Sequence, residues 1–333
     1  MNSPPAVNVV VSIVTWRAAR LTIDCLASLV PEVAANPGVR VIVVDNDSGD
    51  GTAEAVAQAI TSRGWSHWAE LVRSPANGGF AAGNNVALRR ALQTYPEFEY
   101  LLLLNPDTLA RPGAIKALVD FMTGSPYAGV AGGRCEDPDG TPQECCFRFP
   151  GILSEFSDQL RLGFFDRLVS GYLVRMGTSD QPMEADWVSG AVMIIRRKVF
   201  ETVGFMDEGY FLYFEETDFT LRAKRAGWRT WHVPQARVVH FVGQITGVRT
   251  ANERPRRLPA YWYESRRRYF LLNYGMVCSI AVDLAVIFGN ALWGIRRAIE
   301  RKPAVDPPHW IRDLISKGVV GRGSAGLAPR RIE

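Results

Sequence analysis

The chain has few of the features that announce a zinc protein, a secreted protein or a dinucleotide enzyme. Its five cysteines, Cys25, Cys135, Cys145, Cys146 and Cys278, form no CxxC pair and no Cys/His zinc spacing. They read as reduced thiols in a cytoplasmic protein. The start, Met1-Asn2-Ser3-Pro4-Pro5, lacks a basic n-region and a long apolar run, so no secretory signal is expected. No GxGxxG follows the first apolar run, which argues against a nicotinamide dehydrogenase. The stretch Asn77-Gly-Gly-Phe-Ala-Ala-Gly-Asn-Asn85 has P-loop glycine spacing, but Asn84-Asn85 stands where Lys-Ser/Thr would be, which argues against a P-loop ATPase. Repeats and low-complexity segments are absent. The net charge of +4 on 333 residues is too small to indicate nucleic acid. What is present is an ordinary globular composition, 47% hydrophobic and 22% charged. The length suits one large domain plus an appendage.

Residues 7–133 alternate between buried runs and helical spacing. Strands are expected at Val7–Thr15, Val39–Val44, 69–73 and Tyr100–Leu104. Helices are expected at 20–30, from Thr52 to about Arg63, from Gly79 to about Gln93, and from Pro112. This order implies an α/β fold with a mostly parallel sheet and helices on both faces. Ligands of such sheets sit beyond the carboxyl ends of the strands. The polar corners after Val14, Val44 and Leu104 all lie there. Residues 134–247 are less regular. They suggest a strand over Asp186–Arg196, an aromatic loop at 204–216, a helix from about Glu216 to Ala226, a short strand Arg229–Val233, and then Val238-Val239-His240.

Several residue groups could carry chemistry. Asn105-Pro106-Asp107 ends the apolar run Leu101–Leu104; it reads either as a plain turn or as an oxygen donor to a divalent metal carrying a diphosphate. Asp45-Asn46-Asp47 reads as an Asx turn or as a nucleotide contact, with Asp45 the chosen contact. Glu215-Glu216-Thr217-Asp218 reads as helix capping or, crowded by Phe211, Tyr213 and Phe214, as a carboxylate with raised pKa acting as general base. Asp207-Glu208 offers rival carboxylates. His240 is a lone histidine that gains weight only if the fold brings it to Asp107.

The last third is basic, with Arg254, Arg256, Arg257, Arg266, Arg267, Arg268, Arg296, Arg297, Arg301 and Lys302. Between these arginines, Tyr269–Trp293 is mostly apolar and long enough to span a bilayer, but Asp283 near its middle would be costly there. The favoured reading is helices lying in the membrane interface with arginines on anionic head groups; the alternative is a helical pair packed on the core.

Taken in order, VSIVTW at 11–16, VVDNDSGDGT at 43–52, NGGFAAGNN at 77–85, LLLLNPDT at 101–108, SGAVMIIRR at 189–197, GFMDEGYFLYFEETDFTLRAKRAG at 204–227 and then His240 resemble the inverting glycosyltransferases of family 2, with the GT-A fold. The rhamnosyltransferase-like branch, which builds bacterial surface polysaccharides, is the nearest match. The resemblance covers about 7–247. It implies a nucleotide-sugar half at 1–133, an acceptor-binding and catalytic half of the same domain at 134–250, and a helical extension at 251–333 associated with the inner face of the cytoplasmic membrane.

The resemblance also implies roles. Thr15, Asp45, Asn46, Asn77, Gly78 and Asn105 would line the nucleotide-sugar. Asp107 and His240 would bind Mg²⁺ or Mn²⁺, with Asn105 replacing the first Asp of the family's DxD. Glu216, replacing the usual Asp, would be the catalytic base, with Glu215 and Asp218 as rivals. Trp187 and Gly190 would contact the acceptor. The implied reaction moves L-rhamnose from dTDP-L-rhamnose onto a lipid-linked or growing saccharide with inversion at the anomeric carbon. A UDP-hexose donor is the rival of the same class. A catalytically silent nucleotide-sugar-binding scaffold is the rival of another class. A nucleotidyltransferase would show a Lys/Arg-bearing glycine loop after the first strand, and Val14-Thr15-Trp16 has none.

Overall fold

Three runs rich in β-branched and leucine side chains offer water almost nothing to solvate, and they become central strands buried on both faces. They are β1 (Val9–Thr15), β2 (Val39–Asp45) and β4 (Tyr100–Leu104), with β3 (Ala69–Arg73) outside them. A computed structural model describes residues 7–241 and 256–332 and places these four parallel, in the order β3-β2-β1-β4. Arg254 and the expected boundary at 250 lie outside the described residues. Helices α1 (Ala19–Ala35), α2 (Thr52–Ser62) and α3 (Gly79–Thr94) make the connections. The chain winds outward from β1 to β3, then returns to place β4 on the other side of β1. That reversal opens a crevice at the carboxyl ends of β1 and β4. The one polar residue inside β1, Ser12, is satisfied by donating to Asn84 of α3 at 2.7 Å.

The sheet continues through the second half of the chain. Beyond β4 come β10 (Val192–Arg196), β6 (Ala128–Glu136), β11 (Arg229–His240) and β5 (Thr108–Ala110), with β8 (Met183–Ala185) also on β11. β10 is antiparallel to both neighbours, and β5 and β8 are antiparallel to β11, so six of the nine strands run one way and three the other. One apolar layer, including Ile13, Leu26, Leu102 and Ile194, packs with α1 and α4 (Ala114–Gly124). The other, including Val10, Leu88, Leu103, Met193 and Phe219, packs with α3, α7 (Arg197–Val203) and α8 (Glu215–Arg225).

Three expectations change. The helix expected from Pro112 starts at Ala114, after left-handed Gly113 and the unexpected strand β5. Its first amides, Gly113 N–H and Ile115 N–H, donate to the buried Glu32 carboxylate of α1 at 2.5 and 2.8 Å, an anion on a helix N-terminus. The strand expected over 186–196 is two, because Ser189-Gly190-Ala191 breaks it into β9 (Trp187–Val188), paired with β7 (Cys146–Phe147), and β10. The two short segments expected at 229–240 are one strand bent by a bulge between Val233 and Arg237.

The C-terminal helix α9 (Ala260–Glu300) is long and apolar enough to cross a membrane by length and composition, the one such helix among the described residues. It is not straight. Gly275 has φ 76° and ψ 177°, which no helix contains. Arg266 pairs with Asp283, whereas seventeen residues of unbroken helix would separate them by about 25 Å. Tyr263 and Val286 share an apolar cluster with Leu314 of α10 (Trp310–Lys317). The two arms therefore fold back on each other, and they pack on α5 (Ile152–Leu160). Asp283 is buried in protein, receiving Arg266 and the N–H groups of Val319 and Val320.

Candidate active site

Backbone pairing builds the corner after β4. Asn105 N–H donates to Ala191 O at 3.0 Å, and Thr108 returns N–H and Oγ1 bonds to Asn105 O at 3.2 and 2.7 Å. The pairing of β5 with β11 sets His240 opposite Thr108, and Phe241 N–H donates to Asp107 O at 3.0 Å. Asp107 and His240 thus meet across 133 residues of sequence, with His240 Nε2 3.6 Å from Asp107 Oδ1. That oxygen is buried and makes no hydrogen bond. Burial pushes the Asp107 carboxyl up to about 6 and the His240 imidazole down to about 4. At neutral pH this is an ionised carboxylate beside a neutral imidazole, a donor pair suited to a divalent cation. No group of three or more His, Cys, Asp or Glu able to hold a metal occurs among the described residues. A cation here would complete its shell with phosphate oxygens and water. Asp107 also borders a cleft of about 690 Å³ whose lining includes Arg20, Asp24, Ser28 and Phe241.

The other strand ends form a polar wall. Thr15 is fully buried, its Oγ1 receiving the Thr22 hydroxyl at 2.7 Å. Asp45 directs both oxygens to Ser48, accepting Oγ–H at 2.5 Å and N–H at 3.2 Å. It is the turn-builder of its loop, the Asx reading the sequence left open. Asn46 donates to Asn77 Oδ1 and Gly79 O, both at 3.0 Å, and its own buried Oδ1 has no partner. Asn77 Oδ1 also accepts Gly79 N–H at 3.1 Å, closing the turn into α3.

The helix carrying the candidate base is entered under strain. Tyr213 and Phe214 both have left-handed backbone, φ 71° and 67°, immediately before Glu215. Glu215 is buried, and burial together with the charge of Glu216 raises its pKa well above the usual carboxylate range. Glu216 is half-buried. Burial raises its pKa as well, opposed by its own amide and that of Gly190, and its Oε2 has no partner. Gly190 is close because of the β9–β10 break: a Cβ there would lie 3.8 Å from Glu216 Oε1 and 3.0 Å from the Phe80 ring. Asp218 is different. Burial alone would raise its pKa, but Arg222 and Arg330 outweigh burial and hold it below the usual carboxylate range. Asp207 is clamped by Arg268, and Glu208 by Arg89 and Asn85. Trp187 donates Nε1–H to Arg148 O at 2.9 Å and stacks on Phe147, ring centroids 4.3 Å apart.

One contact escaped sequence reading. Gly79 has φ 83°, and a Cβ on it would lie 1.8 Å from Phe211 O, while Phe80 N–H donates to that same oxygen at 2.9 Å. The aromatic loop is therefore seated on the start of α3, joining the turn before that helix to the loop that enters α8. The doubled glycine was the only signal for it.

A nucleotide-binding sheet of this topology, with a carboxylate helix facing its crevice, defines a glycosyltransferase of the GT-A fold. The chain belongs to the family described as Glycosyltransferase like family 2, whose model matches residues 4–270, in its rhamnosyltransferase-like branch. It is 30% identical over 231 residues to the N-acetylglucosaminyl-diphospho-decaprenol L-rhamnosyltransferase of Mycobacterium tuberculosis, covering 67% of this chain and 72% of that one. It is 27% identical over 165 residues to rhamnosyltransferase WbbL of Escherichia coli, covering 49% and 61%. The fold resembles mannosyltransferase PcManGT from Pyrobaculum calidifontis, solved with GDP-Man and Mn²⁺, at TM-score 0.54 and 16% identity over 95% of this chain and 87% of that one. It also resembles S. aureus TarS 1–349 at TM-score 0.52 and 15% identity over 93% and 80%.

Proposed function

We propose that this glycosyltransferase moves L-rhamnose from dTDP-L-rhamnose onto a lipid-linked or growing saccharide for cell-surface polysaccharide, inverting the anomeric carbon. The observation that carries the reading is a set of buried carboxylate oxygens without partners, Asp107 Oδ1 beyond the end of β4 and Glu215 Oε2 and Glu216 Oε2 at the start of α8. The relatives named for rhamnosyl transfer support the donor, and the one named for a decaprenol-linked substrate supports the acceptor class.

In this reading Asp107 and His240 hold Mg²⁺ or Mn²⁺, which supplies Lewis-acid stabilisation to the leaving diphosphate. Thr15, Asp45, Asn46, Asn77, Gly78 and Asn105 line the nucleotide-sugar. Glu216 takes the proton from the acceptor hydroxyl as that oxygen attacks the anomeric carbon from the face opposite the diphosphate. Its raised pKa makes it a stronger base than an exposed glutamate. Glu215 is buried beside it, and burial and the Glu216 charge both push its carboxyl toward the protonated form. Asp218 already faces two arginines and serves as an anchor. Gly190 leaves room beside Glu216 for the acceptor, and Trp187 frames that side. A thermal-shift panel of dTDP-, UDP- and GDP-sugars with Mn²⁺ tests the donor. Stabilisation by dTDP-L-rhamnose of about 2.7 kcal/mol at a hundredfold excess over Kd is expected, and a preference for a UDP-hexose contradicts it.

The second arm of α9 supports peripheral attachment at the inner membrane face. Val277 (85% exposed), Ile280, Leu284, Phe288 (59%), Ile295 and Ile299 form one solvent-facing stripe at helical spacing, with Arg296, Arg297 and Arg301 at its end. Phe288→Asp should cut binding to anionic vesicles about tenfold or more, since burying a Phe contributes roughly 1.5–3 kcal/mol. Unchanged sedimentation with vesicles would sink the attachment.

A further inference from the structure

The loop 204–214 and the first turn of α8 are held from outside by a segment the reaction does not use. Residues 328–332 run along this loop. Phe205 N–H donates to Ile332 O at 2.9 Å and Glu208 N–H to Arg331 O at 3.0 Å. Arg331 N–H donates to Asp207 Oδ1 at 3.1 Å. Arg268, from the first arm of α9, joins the two layers: its guanidinium grips Asp207 at 2.7 and 2.9 Å and donates to Ala328 O and Pro329 O at 2.8 and 2.9 Å. Gly209 has no room for a side chain there, since a Cβ would lie 2.2 Å from that guanidinium.

The other end of the loop is held in the same way. Arg330 Nη1 donates to both Asp218 oxygens, at 2.6 and 2.7 Å, and Arg330 Nη2 to Asn273 Oδ1 at 2.9 Å. Asn273 in turn donates to Asp218 Oδ1 at 2.8 Å. Asp218 lies two residues beyond Glu216 in the same helical turn. Between the two clamped aspartates stand Tyr213 and Phe214 in left-handed backbone. Each such residue costs on the order of 1–3 kcal/mol and persists only where its surroundings over-determine it. Asp207 and Asp218 are both fully buried, and their partners are charged and multiply bonded, so these clamps are stiff.

We propose that segment 328–332 is a strap that sets the position of Glu216, with Arg330 as a positioning residue acting through Asp218. This rests on Glu216 being the base. Without Arg330, Asp218 keeps only Arg222 as a charged partner, the first turn of α8 loses its outer tether, and the strained residues before it can relax. Among the described residues, no hydrogen bond runs from Arg330 or Asp218 to the binding wall at β1, β2 and β4, which meets this loop at Phe211 through Gly79 and Phe80. The expected signature is therefore lost turnover at unchanged donor binding.

The test compares Arg330→Met and Arg330→Lys with the full wild-type chain, using dTDP-L-rhamnose, Mn²⁺ and a short-chain polyprenyl-diphosphoryl N-acetylglucosamine. Turnover per folded enzyme should fall by about 10- to 100-fold in Arg330→Met, the scale of an ångström-sized misplacement, with donor KM within about twofold. Arg330→Lys keeps the charge but not the fork, and should recover part of the loss. Amide hydrogen exchange at 213–218 should accelerate in Arg330→Met with no substrate present. Wild-type turnover in both variants, or wild-type exchange at 213–218, overturns the strap. If Arg330→Met does not fold, Arg330→Lys alone decides: reduced turnover supports the strap and wild-type turnover overturns it. Activity retained in Glu216→Gln would instead refute the base assignment, and the exchange result would still stand or fall by itself.

Discussion

Asp45, Asn46 and Asp107 sit at the ends of strands whose ladders place them, Asp45 bonded to Ser48, Asn46 to Asn77 and Gly79, and Asp107 beside His240 on the neighbouring strand β11. Glu216 sits on a helix entered through two left-handed residues and held by arginines from far along the chain, Arg268 and Arg330 among them. One side of the crevice is positioned by the sheet, the other by charged clamps around a strained loop. Sheet ends are rigid because the whole sheet must move for them to move. A clamped loop is rigid only while each clamp holds. A transferase gains from the difference, since the donor side must bind reproducibly while the acceptor side must admit a second substrate.

The contrast predicts different failures on the two sides. On the sheet side, Asp107→Ala should have the largest effect, about 10²–10³-fold in turnover, together with loss of the Mn²⁺ dependence of nucleotide binding. Calorimetric titration curves that keep their Mn²⁺ dependence would remove Asp107 from the metal site. Gly79→Ala should destabilise by more than about 2 kcal/mol, because a side chain there is both left-handed and inside van der Waals contact with Phe211 O. A urea midpoint equal to wild type would show that the aromatic loop is not seated on α3 in solution. The smallest effect is one of pH. Glu216 works deprotonated and its pKa is raised, so turnover should decline on the acid side above the 4.5 of an ordinary glutamate. A profile flat down to that value would place the base elsewhere.

The same contrast explains what the sequence could say. β1, β2 and β4 are continuous apolar runs ending at polar corners, so their ends and Asp107 were legible from local pattern. The meeting of His240 with Asp107 was legible only through family resemblance, because nothing local to Val238-Val239-His240 names its partner. Strand β5 is three residues whose identity as a strand depends on β11, more than a hundred residues later. The separation of Asp218 from Glu216 was not legible either: both acids share one helix turn, and Arg222, Asn273 and Arg330, the last 112 residues on, distinguish them. The break of α9 was written in Gly275, but an apolar run of that length reads as one element until Arg266 is seen to meet Asp283. The same meeting explains an acid that seemed out of place in an apolar segment.

The most direct test of the account is the pair of numbers kcat and donor Kd for Glu216→Gln beside wild type, with Glu215→Gln as companion. The account predicts that kcat falls by about 10²–10⁴-fold in Glu216→Gln while the Kd for dTDP-L-rhamnose with Mn²⁺ stays within about twofold, and that Glu215→Gln, at a carboxyl whose pKa burial already raises, retains most of its turnover. Wild-type turnover in Glu216→Gln would contradict it.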